Sequence, residues 1–334
     1  MKNSMQQELK LFAEKNGDEH WSQTLELFDS LPKFNYHRVS KTKEPRILNR
    51  VCEHRGKSYK VAIIPALIED KEGQTWAAMP GKREELVMHC LRYLSVQEKA
   101  SLVASTNLPN QTNQKTSSET AHVKIVFNIH QLREELKRVG HGYNWNEIEE
   151  SLLVLSRSII KIECGGFWSE GSILESLYGA DNKKGSRCVA FHPLASQAIL
   201  SGASRKIRYD KYMSLKKPLS RWLYIKMCHN VTNAEQPTGF KKGIGLRFSY
   251  LEVFNQSGLQ ELKDRRNNVR TIRQALEELK EAKILNDGSI MGESWVEKAD
   301  YSSWEAFPSN QTVSDIMEAN KGNNTKPHEK LSIS

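Results

Sequence analysis

The stretch LQELKDRRNNVRTIRQALEELKEAKILNDG, residues 259–288, decides how the rest of the chain is read. Val269, Ile272, Leu276 and Leu279 recur at spacings of three and four, which places them on one stripe of a helix. The opposite face carries Asn267, Arg270 and Gln274, flanked by Arg266 and Arg273. Such side chains suit phosphates and base edges: a guanidinium forks guanine, and a carboxamide binds adenine through two bonds. Charge is also polarised along the helix. Lys263, Arg265, Arg266, Arg270 and Arg273 face only Asp264, whereas Glu277, Glu278 and Glu281 follow. A helix tuned only to its own dipole has acids first and bases last. The plain alternative is a solvated charged face on a surface helix.

The same apolar spacing occurs earlier in the chain. Ile148, Leu152, Leu155 and Ile160 are separated by four, three and five residues, and Ile272, Leu276, Leu279 and Ile284 repeat this at an offset of 124. Small residues Ser151 and Ala275 fall at that offset, and Phe127 and Leu132 match Phe248 and Val253 at an offset of 121. Each half therefore reads as helix, short strand, helix, turn, helix and β-hairpin, the order of a winged helix. Amphipathic helices reuse such spacings, so coincidence is the competing account. The expected fold is α+β, with two tandem winged-helix domains. Residues 1–40 are expected to be an N-terminal extension, 41–203 the first domain, 204–300 the second, and 301–334 a flexible tail.

Along the chain, residues 5–15 read as a short helix, and Trp21, Leu25, Phe28 and Leu31 have loosely helical spacing. Strands are expected at 46–52, 59–64, 123–127, 159–164, 172–178 and 187–191, and helices at 84–103, 129–139, 144–156, 192–202, 219–230, 249–255 and 264–283. Residues 105–121 are so rich in Ser, Thr, Asn and Gln that a mobile loop is expected. A basic connector spans 204–217.

With 334 residues, 38% of them hydrophobic, the chain is long enough for about two ordinary domains. Its net charge of +9 is unevenly placed, because residues 203–273 alone carry sixteen Lys and Arg against five acids, leaving −2 for the remainder. A local positive excess is the electrostatic footprint expected of a nucleic-acid binder. Within the window, Lys216, Lys217, Arg221, Lys241 and Lys242 are expected to follow phosphates alongside Lys263, Arg265 and Arg273, while Arg266, Asn267, Arg270 and Gln274 read bases. The interleaved Tyr209, Tyr212, Trp222 and Tyr224 read as packing residues rather than base-stacking platforms. In the first half, Glu147, Glu149 and Glu150 replace the basic turn and would repel phosphates. That half is expected to make protein contacts, or to touch the DNA backbone through a turn near Lys183, Lys184 and Arg187; for that cluster a merely soluble turn is an equal alternative.

Signals for other chemistry are weak. The five cysteines are scattered without a CxxC pair, and no run of eighteen apolar residues or apolar leader is present. A cytosolic, non-enzymatic protein with no metal, cofactor or membrane partner is expected. Gly81-Lys82 lacks the preceding glycine of a phosphate-binding loop, since Trp76 stands there, and no His-x-His pair occurs. Near the N-terminus, Gln7, Leu9, Leu11 and Phe12 approximate the peptide that docks in bacterial sliding clamps, with one residue extra. The first reading of that segment is an amphipathic helix start, and clamp docking is a side hypothesis.

Three features together, Trp145-x-x-Ile148 through Leu155, the Phe167 to Tyr178 hairpin and Lys217-Pro218-Leu219-Ser220-Arg221-Trp222-Leu223 before the basic helix, resemble plasmid replication initiators of the iteron-binding type, most closely the TrfA group. The resemblance covers residues 123–285. It implies tandem winged helices that bind direct repeats in duplex origin DNA, help melt an adjacent AT-rich segment, and recruit the host initiator, helicase and possibly the sliding clamp. It also implies a monomer and dimer balance, with the first domain forming the dimer surface, and a bacterial, nucleoid- or plasmid-associated location. A transcriptional regulator using the same domain without a replication role is the alternative.

Overall fold

The computed structural model describes residues 20–36, 45–69, 72–96, 101–105, 122–179, 186–200, 204–230, 245–291 and 303–321. It is a mixed α+β structure in which a helix-turn-helix followed by a hairpin occurs twice. In the first half, β1 (Trp21–Leu25), α1 (Glu26–Ser30), β2 (Leu48–His54), β3 (Lys57–Ile64), β4 (Ala66–Glu69) and β5 (Thr75–Ala78) precede helix α2 (Lys82–Val96) and β6 (Ser101–Ser105). Then come β7 (His122–Asn128), α3 (Ile129–Arg138), α4 (Trp145–Arg157), β8 (Ile159–Cys164), β9 (Phe167–Ser172), β10 (Leu174–Gly179), β11 (Ser186–Phe191) and α5 (Pro193–Leu200). The second half follows β12 (Ser204–Arg208) and α6 (Tyr209–Ser214) with α7 (Pro218–Asn230), β13 (Leu246–Ser249), α8 (Tyr250–Gln256), α9 (Arg265–Glu281), β14 (Leu285–Met291), β15 (Ser303–Pro308) and α10 (Asn310–Lys321).

Local chemistry places the ends of these helices. Asn128 caps α3 by accepting from His130 N at 2.7 Å, and Gly140, at φ +87°, turns the chain where a side chain would be strained. Capping boxes open α4 through Asn144 with Glu147, and α8 through Ser249 with Glu252. Asp264 caps α9 through Arg266 N at 2.9 Å.

The offsets seen in the sequence correspond to buried positions. Ile148, Leu152, Leu155 and Ile160 are buried, as are Ile272, Leu276, Leu279 and Ile284, and so are Phe127, Leu132, Phe248 and Val253. Ser151 and Ala275 occupy equivalent sites where the third helix of each unit crosses the first. Ser151 Oγ donates to Glu84 of α2 at 2.9 Å, and Ala275 O accepts from Ser220 Oγ of α7 at 3.1 Å. Small residues let the helix axes approach at each crossing.

The two units close their sheets differently. In the second, β13 pairs with β15, the return strand of the hairpin, in the order β13-β15-β14. In the first, the β8–β9 hairpin instead extends the β2–β3 hairpin into the order β2-β3-β8-β9, while β10-β11-β7-β6 forms a separate sheet.

Several expectations are corrected by the long-range pairing. Residues 21–36 are no appendage: β1 pairs with β12, from Trp21↔Arg208 to Leu25↔Ser204, and Phe28, Leu31 and Phe34 lie in the core. Trp21–Leu25 is a strand rather than a helical turn. The helix expected at 84–103 stops at Val96, and Ser101–Ser105 pairs with β7. The stretch 204–217 is no linker, since it supplies β12 and α6 with Tyr209, Tyr212 and Met213 buried. Nor is 303–321 a flexible tail. Strand β15 is the centre of the second sheet, and α10 buries Ile316 and Ala319 while Asp315 pairs with Lys211 at 2.8 Å. Of the loop expected at 105–121, Ser105 belongs to β6 and the rest lies outside the described residues.

One hydrophobic cluster runs through both halves. Inside it lie charges that only the assembled chain can neutralise. Arg221 of α7 is fully buried, bonds Glu85 of α2 and donates to Leu215 O at 2.8 Å, while Tyr212 Oη donates to the other oxygen of Glu85 at 2.8 Å. A second cluster sets Asp29 against Arg92 at 2.6 Å and Lys33 at 3.1 Å. Burial opposes the charge on Asp29, but Arg92 and Lys33 hold its carboxyl well below the usual range.

Removing one partner of a buried pair leaves an uncompensated charge, so Glu85→Ala should cost about 3–5 kcal/mol in urea unfolding. Pairing Glu85→Met with Arg221→Met should recover most of that loss.

Acid sensitivity has a separate source. Burial holds His89 well below its ordinary value and pushes His229 down to about 3. The unfolded chain binds these protons near pH ~6.5 and the folded chain does not, so stability is complete above that pH and falls as pH drops toward His229's folded value. Asp29 adds little between about pH 7 and about pH 4.5, because its contribution begins to be lost only as pH falls through the unfolded carboxylate value toward its depressed folded one. Urea midpoints followed between about pH 7 and about pH 4.5 should fall, and His229→Gln should flatten the slope by about 1.4 kcal/mol per pH unit.

Candidate nucleic-acid interface

Helix α9 buries Asn268, Val269, Ile272, Ala275, Leu276 and Leu279. Lys263 on the preceding loop, together with Arg266, Asn267, Arg270, Arg273 and Gln274, is exposed. The helix thus packs by one stripe and presents the other, as its periodicity required. Asn267 Nδ2 donates to Asp264 at 2.9 Å, so this amide is tied to the helix cap. Arg265 is turned back: it is half-buried, with its guanidinium 5.1 Å from the centre of the Tyr250 ring. It supports the start of α9 rather than standing out as a phosphate ligand.

Asn268 is a feature that the sequence reading missed. Its buried amide donates to Tyr250 Oη at 2.6 Å and Leu262 O at 2.9 Å, and accepts from Leu262 N at 3.0 Å. It thereby pins the loop before α9 to the helix itself. The signal was a polar residue at an apolar-stripe position four residues before Ile272.

The N-terminus of α7 lies beside α9 because Glu278 of α9 caps it. The Glu278 carboxylate accepts from Lys216 N at 2.7 Å, Lys217 N at 3.1 Å and Ser220 Oγ at 2.6 Å. The Lys216 side chain is exposed and that of Lys217 half-buried. Lys82, exposed at the start of α2, joins them: burial and the charges of Arg221 and Lys217 lower its pKa against the pull of Glu85 and Glu278. Lys82, Lys216 and Lys217, from both halves, therefore lie near Glu278, toward the C-terminal half of α9, an arrangement suited to a phosphate backbone crossing the junction.

Arg221 must be removed from the set of DNA-binding candidates. Its side chain is buried against Glu85, 136 residues away in the chain, and cannot reach a ligand. Most cations of the expected connector are likewise engaged within the protein. Arg205 bonds Cys228 O, Arg208 stacks on Trp21 and Lys211 pairs with Asp315. Lys241 and Lys242, Lys183 and Lys184, and the Gln7 to Phe12 segment lie outside the described residues.

The equivalent helix of the first half presents another chemistry. At the offset of 124, Arg266, Asn267, Arg270 and Gln274 correspond to Gly142, Tyr143, Asn146 and Glu150. Its acids do not stand as bare negative charges. Glu149 binds Arg187 of β11 at 2.6 Å, Glu150 binds Arg83 of α2 at 2.8 Å, and Glu147 is in the capping box. Arg187 is consequently held against α4 and does not extend a basic turn. This face is close to neutral, which leaves α9 as the positively charged helix of the pair.

Among the described residues, no group of three or more His, Cys, Asp or Glu is placed to hold a metal ion, and no helix is long and apolar enough to cross a membrane.

No protein-family model matches the chain, and no curated protein does so. Among solved structures it is similar to a selenomethionine crystal structure of domains 2 and 3 of RctB, with a TM-score of 0.46 and 11% identity over 84% of this chain and 96% of that one. A second crystal structure of RctB domains 2–3 gives a TM-score of 0.42 and 9% identity over 87% of this chain and 99% of that one.

Changing Arg270 or Gln274 to Ala should cost about 1–3 kcal/mol of discrimination at particular base pairs in duplex-binding titrations. The double change Lys216→Ala, Lys217→Ala should weaken all duplexes alike and lower the steepness of the salt dependence by about 2. Identical, sequence-blind effects from both sets would overturn these roles.

Proposed function

We propose that this chain is a non-enzymatic replication initiator that recognises direct repeats in the duplex DNA of a bacterial plasmid origin. The observation that carries the reading is the exposed row on α9, from Arg266 to Gln274, set beside the lysines at the N-termini of α2 and α7. Forked guanidinium and carboxamide groups on a helix whose other face is packed are suited to major-groove base edges. Lysines at the junction suit the flanking phosphates.

The replication role adds the resemblance of the Lys217 to Leu223 segment to iteron-binding initiators. In this reading, α9 sets the register on each repeat, and the near-neutral helix α4 leaves the first half to protein contacts, including those with a second copy. Melting of an adjacent AT-rich segment and recruitment of the host initiator, helicase and sliding clamp complete the proposed role in the bacterial cytoplasm. No cofactor, metal or nucleotide is required by it.

Nuclease footprinting of the full chain on the plasmid that encodes it tests the proposal. Protection of regularly spaced direct repeats at the origin, lost with Arg270→Ala, is the expected result. Protection confined to one promoter site would make the protein a transcriptional regulator instead, and uniform protection of all sequences would remove base reading altogether.

A further inference from the structure

Arg50 lies on β2, in the first half, yet its hydrogen bonds go to the turn of the second helix-turn-helix. Its guanidinium donates to Phe254 O at 3.0 Å, Leu259 O at 3.1 Å and Gly258 O at 3.2 Å. These carbonyls end α8 and begin the path to α9, where helical partners run out. One planar fork gathers all three, a geometry that a lysine ammonium cannot reproduce.

The same turn is seated from a second side. Tyr36 N donates to Gly258 O at 3.3 Å, and Asn35 N donates to Pro80 O at 2.8 Å, so the Phe34–Tyr36 segment bridges this turn to the approach to α2. Gly258 has φ +83°, and a Cβ there would stand 2.3 Å from Phe34 O and 3.1 Å from the Tyr36 ring. The backbone of the second unit thus touches that of the first with no space for a side chain.

We infer that Arg50 is a positioning residue for base reading: with the Phe34–Tyr36 segment it clamps the helix-turn-helix turn, so that the pose of α9 is set by the first half of the chain. The inference rests on the proposed reading of DNA by α9. Its mechanical basis is continuous. Asn268 ties the loop after the turn to α9, as described above, so a displaced turn carries Arg266 and Arg270 with it. At the other side α9 is held by α7, whose Arg221 is joined to Glu85 of α2. Two separate attachments to the first half define an orientation, whereas either alone leaves a hinge. Forked hydrogen bonds to base edges weaken steeply with misalignment, while phosphate attraction does not.

The test uses the full chain carrying Arg50→Met, which keeps the apolar stem and removes the donors. Binding is titrated with repeat-containing duplex and with random duplex of equal length, across a salt series, alongside urea unfolding and hydrogen exchange at residues 257–262. A folded variant with faster exchange at the turn, unchanged affinity and salt slope for random duplex, and a specific-to-random ratio lowered about tenfold or more is the expected result. An unchanged ratio in a folded variant overturns the inference. If the unaltered chain shows no preference for any duplex, the reading of DNA fails, and the clamp is then judged by exchange alone: unchanged exchange at 257–262 overturns it. Should Arg50→Met not fold, Arg50→Lys is read by the same criteria. Failure of both to fold would make Arg50 a folding residue and also overturn the inference.

Discussion

The arrangement depends on a buried ion pair. Arg221 sits in the core with its charge, and such a group is tolerated only when a partner of opposite charge and several acceptors surround it. Glu85 provides the charge and Leu215 O an acceptor, while Tyr212 occupies the second oxygen of Glu85. Because Glu85 belongs to α2 and Arg221 to α7, neither half can satisfy its charge alone. The Lys217 to Leu223 segment is therefore chiefly a joint. Pro218 begins α7, Ser220 bonds α9 and Arg221 reaches back to α2. Residues whose sequence resembles a DNA-contacting signal instead hold α7 to α9 and to α2.

The repeated units share packing but diverge in charge. Their buried positions match across the offset, and each third helix is bonded to its first helix at the small residue of the matched pair. On the outer face, the arginines and amides of α9 correspond to Gly142 and Tyr143 just before α4 and to Asn146 and Glu150 within it, where Glu149 and Glu150 are neutralised by Arg187 and Arg83. Duplicated packing with unduplicated charge leaves the two outer faces chemically different, the difference on which the proposed division of labour rests. The sheets reinforce this division, because the first unit spends its hairpin on extending β2–β3, and the edge strand β2 then carries Arg50 to the turn of the second.

In sequence the ends of the chain look like accessories, because Trp21 to Leu31 lacks a clear period and residues 303–308 follow a polar stretch. Both are strands whose partners lie far away: β1 pairs with β12, and β15 lies between β13 and β14. Strand pairing over such separations leaves little local signature, since a short apolar run looks similar whether it ends as strand or helix. The basic connector misled for a related reason. A cation in sequence carries no mark of whether it will face solvent or meet Asp315, Glu26 or Trp21.

What the chain's own order determined was whatever rests on short-range periodicity: two helix-turn-helix units with hairpins, the apolar stripe of α9 and the cationic face opposite it. A 3.6-residue repeat partitions a helix into packed and presented sides whatever surrounds it. Only the tertiary structure decided which arginines are structural and which presented, and that a strand of the first half seats the turn of the second. Burial of a charge and docking of a turn are set by partners distant in sequence, and the free energy of placing Arg221 or Arg50 exists only once those partners are in position.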